Sequence, residues 1–294
     1  MVTNQSRLPD RSEFYYSLGI ASAASGQSVS AIECYDEAVR NNPEYSEAYH
    51  NRGKVYHDIG QNGRAIKDYD LAIKYNSQYF PAYNNRGIAY YDSEEYWRAI
   101  SDYDEALRIN PAYVVAYNNR GNAYLAVGEH GRAIEDYNEA VALDPENVAA
   151  YSNRGTVYRS LGENQRAIED YNEVVRINPD YAAVYNNRAN AYYDLGQRER
   201  ALKDYDEAIR LDPNDPDIYI NRGNVLFEMA QFERATKDYS EVIRINPNYL
   251  EAYHNRGLAY HRMGQYKESE RDLARIAELK AISNVEGQAV EKSS

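Results

Sequence analysis

The sequence predicts an all-α solenoid, in which antiparallel helix pairs repeat along the chain. A period of 34 residues holds without insertion over residues 12–283 and gives eight copies. Within each copy, small and apolar residues fall on two helical stripes, while glycine and proline mark the turns. A single helix pair cannot bury its own stripe, so neighbouring copies must stack for the chain to fold.

The first helix of each repeat is defined by its fourth, seventh, eighth and eleventh places, whose spacing puts them on one helix face. The fourth place is tyrosine throughout: Tyr15, Tyr49, Tyr83, Tyr117, Tyr151, Tyr185, Tyr219 and Tyr253. The eighth place is glycine except at Ala189. Because a glycine inside a helix costs about 1 kcal/mol relative to alanine, we expect it to allow close helix approach opposite the small alanine of the twentieth place.

The second helix carries its stripe at the twentieth, twenty-fourth and twenty-seventh places. Alanine occupies the twentieth place and tyrosine the twenty-fourth in the first seven repeats, from Tyr35 to Tyr239. A glycine such as Gly60 separates the two helices. An Asn-Pro pair such as the one at Pro111 ends the second helix, because the residue before proline avoids helical geometry. The tyrosines are therefore predicted to be mainly structural.

This pattern resembles the tetratricopeptide repeat over residues 12–283. The resemblance implies a right-handed α-solenoid superhelix of antiparallel helix pairs, whose first helices line a concave groove that binds other proteins. The repeats are assigned to residues 12–45, 46–79, 80–113, 114–147, 148–181, 182–215, 216–249 and 250–283. Residues 1–11 are predicted to be a flexible tail and residues 284–294 a disordered one.

Two charged places predict buried ion pairs. In repeats two to eight the seventh place, usually apolar in this family, is arginine, and the twenty-third is aspartate. The first repeat changes both together, to Leu18 and Cys34, which indicates that the two places touch. The pairs are predicted to bridge the two helices, within a repeat or to the next one, and to involve Arg52, Asp68, Arg86, Asp102, Arg120, Asp136, Arg154, Asp170, Arg188, Asp204, Arg222, Asp238, Arg256 and Asp272. The alternative is that these arginines face a ligand.

A row of asparagines is the main candidate for partner binding. The sixth place carries Asn51, Asn85, Asn119, Asn153, Asn187, Asn221 and Asn255. Asparagine is a mediocre helix former, so it serves either to bond neighbouring repeats or to offer amides to an extended peptide backbone, the reading we favour. Further groove candidates are Lys54, Asn84, Asn118, Asn122, Arg159, Asn186, Asn190 and Asn224. Variable groove places such as Tyr193, Phe227 and Leu258 would select the ligand.

Composition disfavours other functions. The formal net charge of −13, from 46 acidic and 33 basic residues, argues against binding to nucleic acid or to anionic membranes. No signal peptide or transmembrane run is seen, so a cytoplasmic location is expected. The single cysteine, Cys34, fits a structural role, and His50 and His57 are too far apart for the usual metal pair on one helix. No metal, cofactor or catalytic residue is predicted.

The sequence therefore predicts a non-catalytic scaffold or adaptor that binds a peptide segment of a partner protein in the concave groove. Two alternatives remain open: a scaffold that associates with itself, and a regulatory module for an enzyme on a separate chain.

Overall fold

A computed structural model describes residues 11–291 of the chain, with side chains for residues 11–281. Within this range the regular structure is entirely α-helical. The chain divides into two compact units between residues 153 and 154, inside helix α9. The first unit holds α1 (Arg11–Ala24), α2 (Ser28–Asn41), α3 (Ser46–Asp58), α4 (Asn62–Tyr75), α5 (Phe80–Asp92), α6 (Tyr96–Ile109), α7 (Val114–Ala126), α8 (His130–Leu143) and the start of α9 (Val148–Ser160). The second holds the rest of α9 and α10 (Asn164–Ile177), α11 (Ala182–Asp194), α12 (Arg198–Leu211), α13 (Pro216–Glu228), α14 (Phe232–Ile245), α15 (Leu250–Arg262) and α16 (Tyr266–Glu291).

Helices that are neighbours in sequence pack together within each unit. In the first unit α3 packs on α4, and α4 packs in turn on α5 of the next repeat; α11, α12 and α13 do the same in the second unit. The turn between paired helices needs one residue in the left-handed conformation, which Gly60 adopts with φ of 75°. Glu94 and Ala230 stand at the equivalent place with φ of 61° and 57°, where a side chain is strained.

The core of each repeat is formed by the alanine and tyrosine of the second helix. The alanines of the twentieth place are fully buried. The tyrosines of the twenty-fourth place are the largest fully buried side chains: Tyr35, Tyr69, Tyr103, Tyr137, Tyr171, Tyr205 and Tyr239. Each of the first seven repeats thus buries one aromatic ring between its two helices, as the apolar stripes predict.

The glycines of the eighth place face these tyrosine rings, so the closest neighbour of the glycine is the tyrosine and not the alanine that the sequence analysis named. A Cβ on Gly121 would stand 2.7 Å from Cε1 of Tyr137, too close without a shift of the ring. At Gly257 the nearest atom would be the Cβ of Asp272 at 3.5 Å, because Leu273 replaces the tyrosine in that repeat. Glycine therefore leaves the most room for the ring against the first helix, and in the sixth repeat Ala189 is accommodated beside the buried Tyr205.

The seventh and twenty-third places are in contact within each of repeats two to eight. Nε and Nη2 of Arg120 donate to Oδ2 and Oδ1 of Asp136 at 2.9 and 2.6 Å. The same two-bond geometry joins Arg52 to Asp68, Arg86 to Asp102, Arg154 to Asp170, Arg188 to Asp204, Arg222 to Asp238 and Arg256 to Asp272. The Asp136 side chain is only 5% exposed, and burial raises the pKa of its carboxyl although Arg120 acts to lower it.

Six of these arginines also bond the twenty-fifth place of the preceding repeat, a partner that the sequence analysis missed. Nη1 of Arg120 donates to Oδ1 of Asp104 at 2.6 Å. Equivalent bonds join Arg52 to Asp36, Arg86 to Asp70, Arg188 to Asn172, Arg222 to Asp206 and Arg256 to Ser240. The signal was present in the first repeat, which lacks the Arg–Asp pair yet keeps Asp36 at the twenty-fifth place. With their guanidinium groups engaged inside the protein, these arginines serve to join consecutive repeats.

The last helix differs from the prediction at the C-terminal end. α16 continues to Glu291, through most of the segment that the sequence predicts to be a disordered tail. The second helix of each of the other seven repeats ends at an Asn or Asp C-cap residue, whereas the eighth repeat has Lys280 at that place and no proline after it. At the other end Arg11, predicted to belong to a flexible tail, begins α1. Residues 1–10 and 292–294 lie outside the described residues.

Candidate functional site

Six of the seven asparagines of the sixth place use their side-chain nitrogen to bond the preceding repeat. Nδ2 of Asn119 donates to Oδ1 of Asn84 at 3.0 Å. Corresponding bonds join Asn51 to Tyr16, Asn85 to His50, Asn153 to Asn122, Asn221 to Asn186 and Asn255 to Asn224. An asparagine that bonds a neighbouring repeat through its nitrogen still has an oxygen that can accept a bond from a ligand. The structural interpretation and the ligand-binding interpretation of these asparagines are therefore compatible.

The asparagines of the ninth place are oriented in the opposite sense. The hydroxyls of Tyr205 and Tyr239 donate to Oδ1 of Asn190 and Asn224 at 2.6 and 2.9 Å. Burial raises the pKa of both tyrosines above the ordinary value of 10, so the hydroxyls keep the proton that they donate. With Oδ1 committed to tyrosine, Nδ2 is the group that each of these amides can offer to a ligand.

A cleft of about 530 Å³ in the second unit collects both kinds of asparagine. This cavity is called "the cleft" below. It is lined by Arg159, Asn190, Tyr193, Asp194, Tyr205, Asn221, Asn224, Val225, Phe227, Glu228, Tyr239, Asn255 and Leu258. The lining residues come mainly from α11, α13 and α15, the first helices of three repeats. Five of the predicted groove residues therefore lie around one cavity.

The four amides of the cleft present two donors and two acceptors. Within the described residues, Nδ2 of Asn190 and of Asn224 has no hydrogen-bond partner, and neither has Oδ1 of Asn221 or of Asn255. The tyrosine and inter-repeat bonds fix which end of each amide is available. An extended peptide exposes both N–H and C=O groups, so the cleft contains the two kinds of group that a peptide backbone requires as partners.

One side of the cleft carries charged groups, and they are paired. Nε of Arg159 donates to Oδ2 of Asp194 at 3.1 Å. The carboxylate of Glu228 accepts from the hydroxyl of Tyr193 and, at 3.1 Å, from Nη2 of Arg198. The acids Asp194 and Glu228 were missed in the sequence, although the thirteenth place is acidic in four repeats. Their partners Arg159 and Tyr193 stand at the twelfth place of the preceding repeat.

The cleft becomes apolar towards the eighth repeat. Leu258 occupies the ninth place, where the two preceding repeats carry Asn190 and Asn224, and its side chain is 45% exposed. Phe227 lines the same cavity, and its ring packs edge-on against Phe232 with centroids 5.2 Å apart. An amide surface and an apolar surface therefore adjoin in one cavity.

The remaining groove candidates lie elsewhere. Asn84 is 1% exposed, because it bonds both Asn85 and Asn119, so the prediction that it lines the groove is wrong. Asn51 and Lys54 line a smaller cavity of about 360 Å³ in the first unit. The other candidates are half-buried along their helices: Asn85, Asn118, Asn119, Asn122, Asn153, Asn186 and Asn187.

Neither a metal site nor a membrane span emerges from the described part of the chain. No group of three or more histidine, cysteine or acidic side chains there is arranged to hold a metal ion. No helix there combines the length and the apolar composition needed to cross a membrane.

Solved structures with a similar fold are tetratricopeptide repeat proteins. The crystal structure of MamA is 26% identical, with a TM-score of 0.54 over 56% of this chain and 96% of that one. A tetratricopeptide repeat protein from Parabacteroides merdae is 21% identical, with a TM-score of 0.62 over 85% of this chain and 98% of its own. YrrB, described as a TPR protein with an unusual peptide-binding site, is 24% identical, with a TM-score of 0.53 over 62% and 94%. The search of curated proteins gave no match.

Family models match most of the chain. One described as "TPR repeat" matches residues 23–60, 53–93, 121–162, 155–196, 189–230 and 223–264. Others described as "Tetratricopeptide repeat" match residues 80–113, 102–135 and 250–282. The chain belongs to the tetratricopeptide repeat family, whose members are generally non-catalytic scaffolds for protein–protein interaction.

Proposed function

We propose that this scaffold binds an extended peptide segment of a partner protein in the cleft of the second unit. The observation that supports the proposal is the fixed orientation of the four amides. Asn190 and Asn224 offer donors, and Asn221 and Asn255 offer acceptors. Such groups bond a peptide backbone whatever its sequence, while the neighbouring side chains provide selectivity.

The test removes the two donors and keeps the fold. Thr156 stands at the ninth place of the fifth repeat, and its Oγ1 lies 3.3 Å from the hydroxyl of Tyr171, so threonine is compatible with this position. The double variant Asn190→Thr, Asn224→Thr should therefore retain a partner for each tyrosine while losing both free Nδ2 groups. Asn122→Thr is the matched control, because Asn122 bonds Tyr137 in the same way but lies in the first unit.

The measurement is selection of a displayed library of random decapeptides on the full chain, followed by titration of the selected peptides. Two lost hydrogen bonds at about 1 kcal/mol each predict a loss of roughly 30-fold in affinity for the double variant and none for Asn122→Thr. The proposal fails if the wild-type chain selects no peptide, or if the selected peptides bind the double variant as tightly as the wild type.

A further inference from the structure

Each charged group of the cleft lining is paired with an opposite charge. Arg159 pairs with Asp194 inside the lining, and Glu228 pairs with Arg198, which lies outside it. The other side chains of the lining are amides, phenols and hydrocarbons. A ligand group that carried a charge into this cavity would lose hydration and either face a like charge or displace an existing partner. The cavity therefore favours an uncharged segment.

The apolar side of the cavity offers a place for a large side chain. Leu258 is nearly half exposed, although it stands at a place where asparagine would keep the surface polar. Phe227 and Val225 line the cavity with it. Free amide donors can bond the backbone of a bound peptide, and apolar side chains next to them can bury one of its side chains.

We propose that the cleft selects uncharged peptide segments with a leucine, isoleucine, phenylalanine or similar large apolar side chain, which packs against Leu258 and Phe227. This inference rests on the proposed peptide-binding function and adds the chemical class of the ligand. The amides around Asn224 hold the backbone, and the apolar residues of the seventh and eighth repeats choose the side chain.

The test compares wild type with Leu258→Asn in the same decapeptide selection. Asparagine is the residue found at this place in Asn190 and Asn224, and the Leu258 side chain is exposed enough for the exchange to leave folding intact. The matched control is Leu273→Asn, since Leu273 is 53% exposed on α16 and lies outside the cleft. Helical content and thermal stability are measured for both variants.

Wild type should select peptides with a large apolar residue at one fixed position and no charge beside it. Leu258→Asn should weaken the binding of those peptides by about tenfold or more, as expected when much of a large apolar contact is lost. Leu273→Asn should leave it unchanged. Affinity should change less than about threefold between roughly 50 and 500 mM salt, because no new ion pair forms.

The outcomes separate this inference from the function beneath it. If wild type selects no peptide, both proposals fail. If it selects peptides that depend on Asn190 and Asn224 but show no apolar preference, or that bind Leu258→Asn equally well, only the ligand class is wrong. Selection of acidic or basic peptides with strongly salt-dependent affinity would also overturn it.

Discussion

Loss of one arginine from the inter-helix ion pairs is expected to be severe and to depend on pH. In Arg120→Leu, Asp136 loses both of its charge-assisted hydrogen bonds while its side chain remains 5% exposed. Asp104 loses a bond as well, but it is 52% exposed and regains water at little cost. The penalty therefore comes almost entirely from the buried carboxylate of Asp136.

The size of the penalty is limited by the protonation of that carboxylate. Removal of one partner of a buried pair costs about 3–5 kcal/mol. Protonating a carboxyl group with an ordinary pKa near 4 costs about 4 kcal/mol at pH 7, which sets an upper limit of similar size. Since the pKa of Asp136 is raised in the folded variant, stability is recovered as the pH falls. The loss should shrink by about 1.4 kcal/mol per pH unit, to roughly 1.5 kcal/mol at pH 5.

The double variant Arg120→Leu, Asp136→Cys provides the control. It reproduces Leu18 and Cys34, which occupy the two places in the first repeat. Because exchange of a buried ion pair for apolar residues is often nearly neutral, the double variant should unfold within about 1 kcal/mol of wild type. Urea unfolding followed by circular dichroism at pH 7 and pH 5 measures all three proteins. The reasoning is refuted if Arg120→Leu matches wild type at pH 7, or if the double variant is as unstable as the single one.

Three further changes have defined outcomes. Gly257→Ala should raise the free energy of unfolding by about 1 kcal/mol, because the new Cβ fits, whereas Gly121→Ala should give no gain since its Cβ meets a tyrosine ring; urea unfolding of both distinguishes them. Glu94→Gly should stabilise by up to about 1 kcal/mol by relieving the φ of 61°, seen as a higher melting temperature, and an unchanged melt would contradict this. Burial, together with the charge of Lys54, lowers the pKa of His50 from 6.5 to about 4. Because the unfolded chain then binds a proton more readily than the folded one, the free energy of unfolding should fall by up to about 3 kcal/mol between pH 6.5 and pH 4. His50→Asn should remove this component in melts measured across that range.

The 34-residue period was enough to predict the helix pairs and the all-α solenoid, but it could not identify every contact between side chains. The link between the seventh and twenty-third places was readable because Leu18 and Cys34 vary together in one repeat. The residue that packs against the glycine could not be read from the sequence, since the eighth place lies near both the alanine and the tyrosine of the second helix. The position of the tyrosine ring in the structure shows which of the two is in closest contact. The extent of α16 goes with Lys280 at the place where the other repeats have a capping Asn or Asp, a change that the sequence analysis did not consider.

The sequence predicted which repeat places carry the site residues, but it did not predict which repeats enclose a cavity. The resemblance to the tetratricopeptide repeat predicted that Asn190 and Asn224 face the groove, and the structure adds that tyrosine hydroxyls fix the direction of both amides. Which repeats enclose a cavity depends on the side chains that vary, such as Phe227 and Leu258, and on how their neighbours pack. A register place describes each repeat separately, whereas a cavity needs side chains from several repeats at once.

The most direct test of peptide binding in the cleft is a scan of backbone N-methylation along one selected peptide, titrated against the full chain. Each methyl group removes one N–H donor and leaves the side chains in place. If Asn221 and Asn255 accept from the backbone, methylation at two positions should each weaken binding by about tenfold, while their immediate neighbours in the peptide tolerate it. Equal tolerance at every position would contradict recognition of the backbone by these amides.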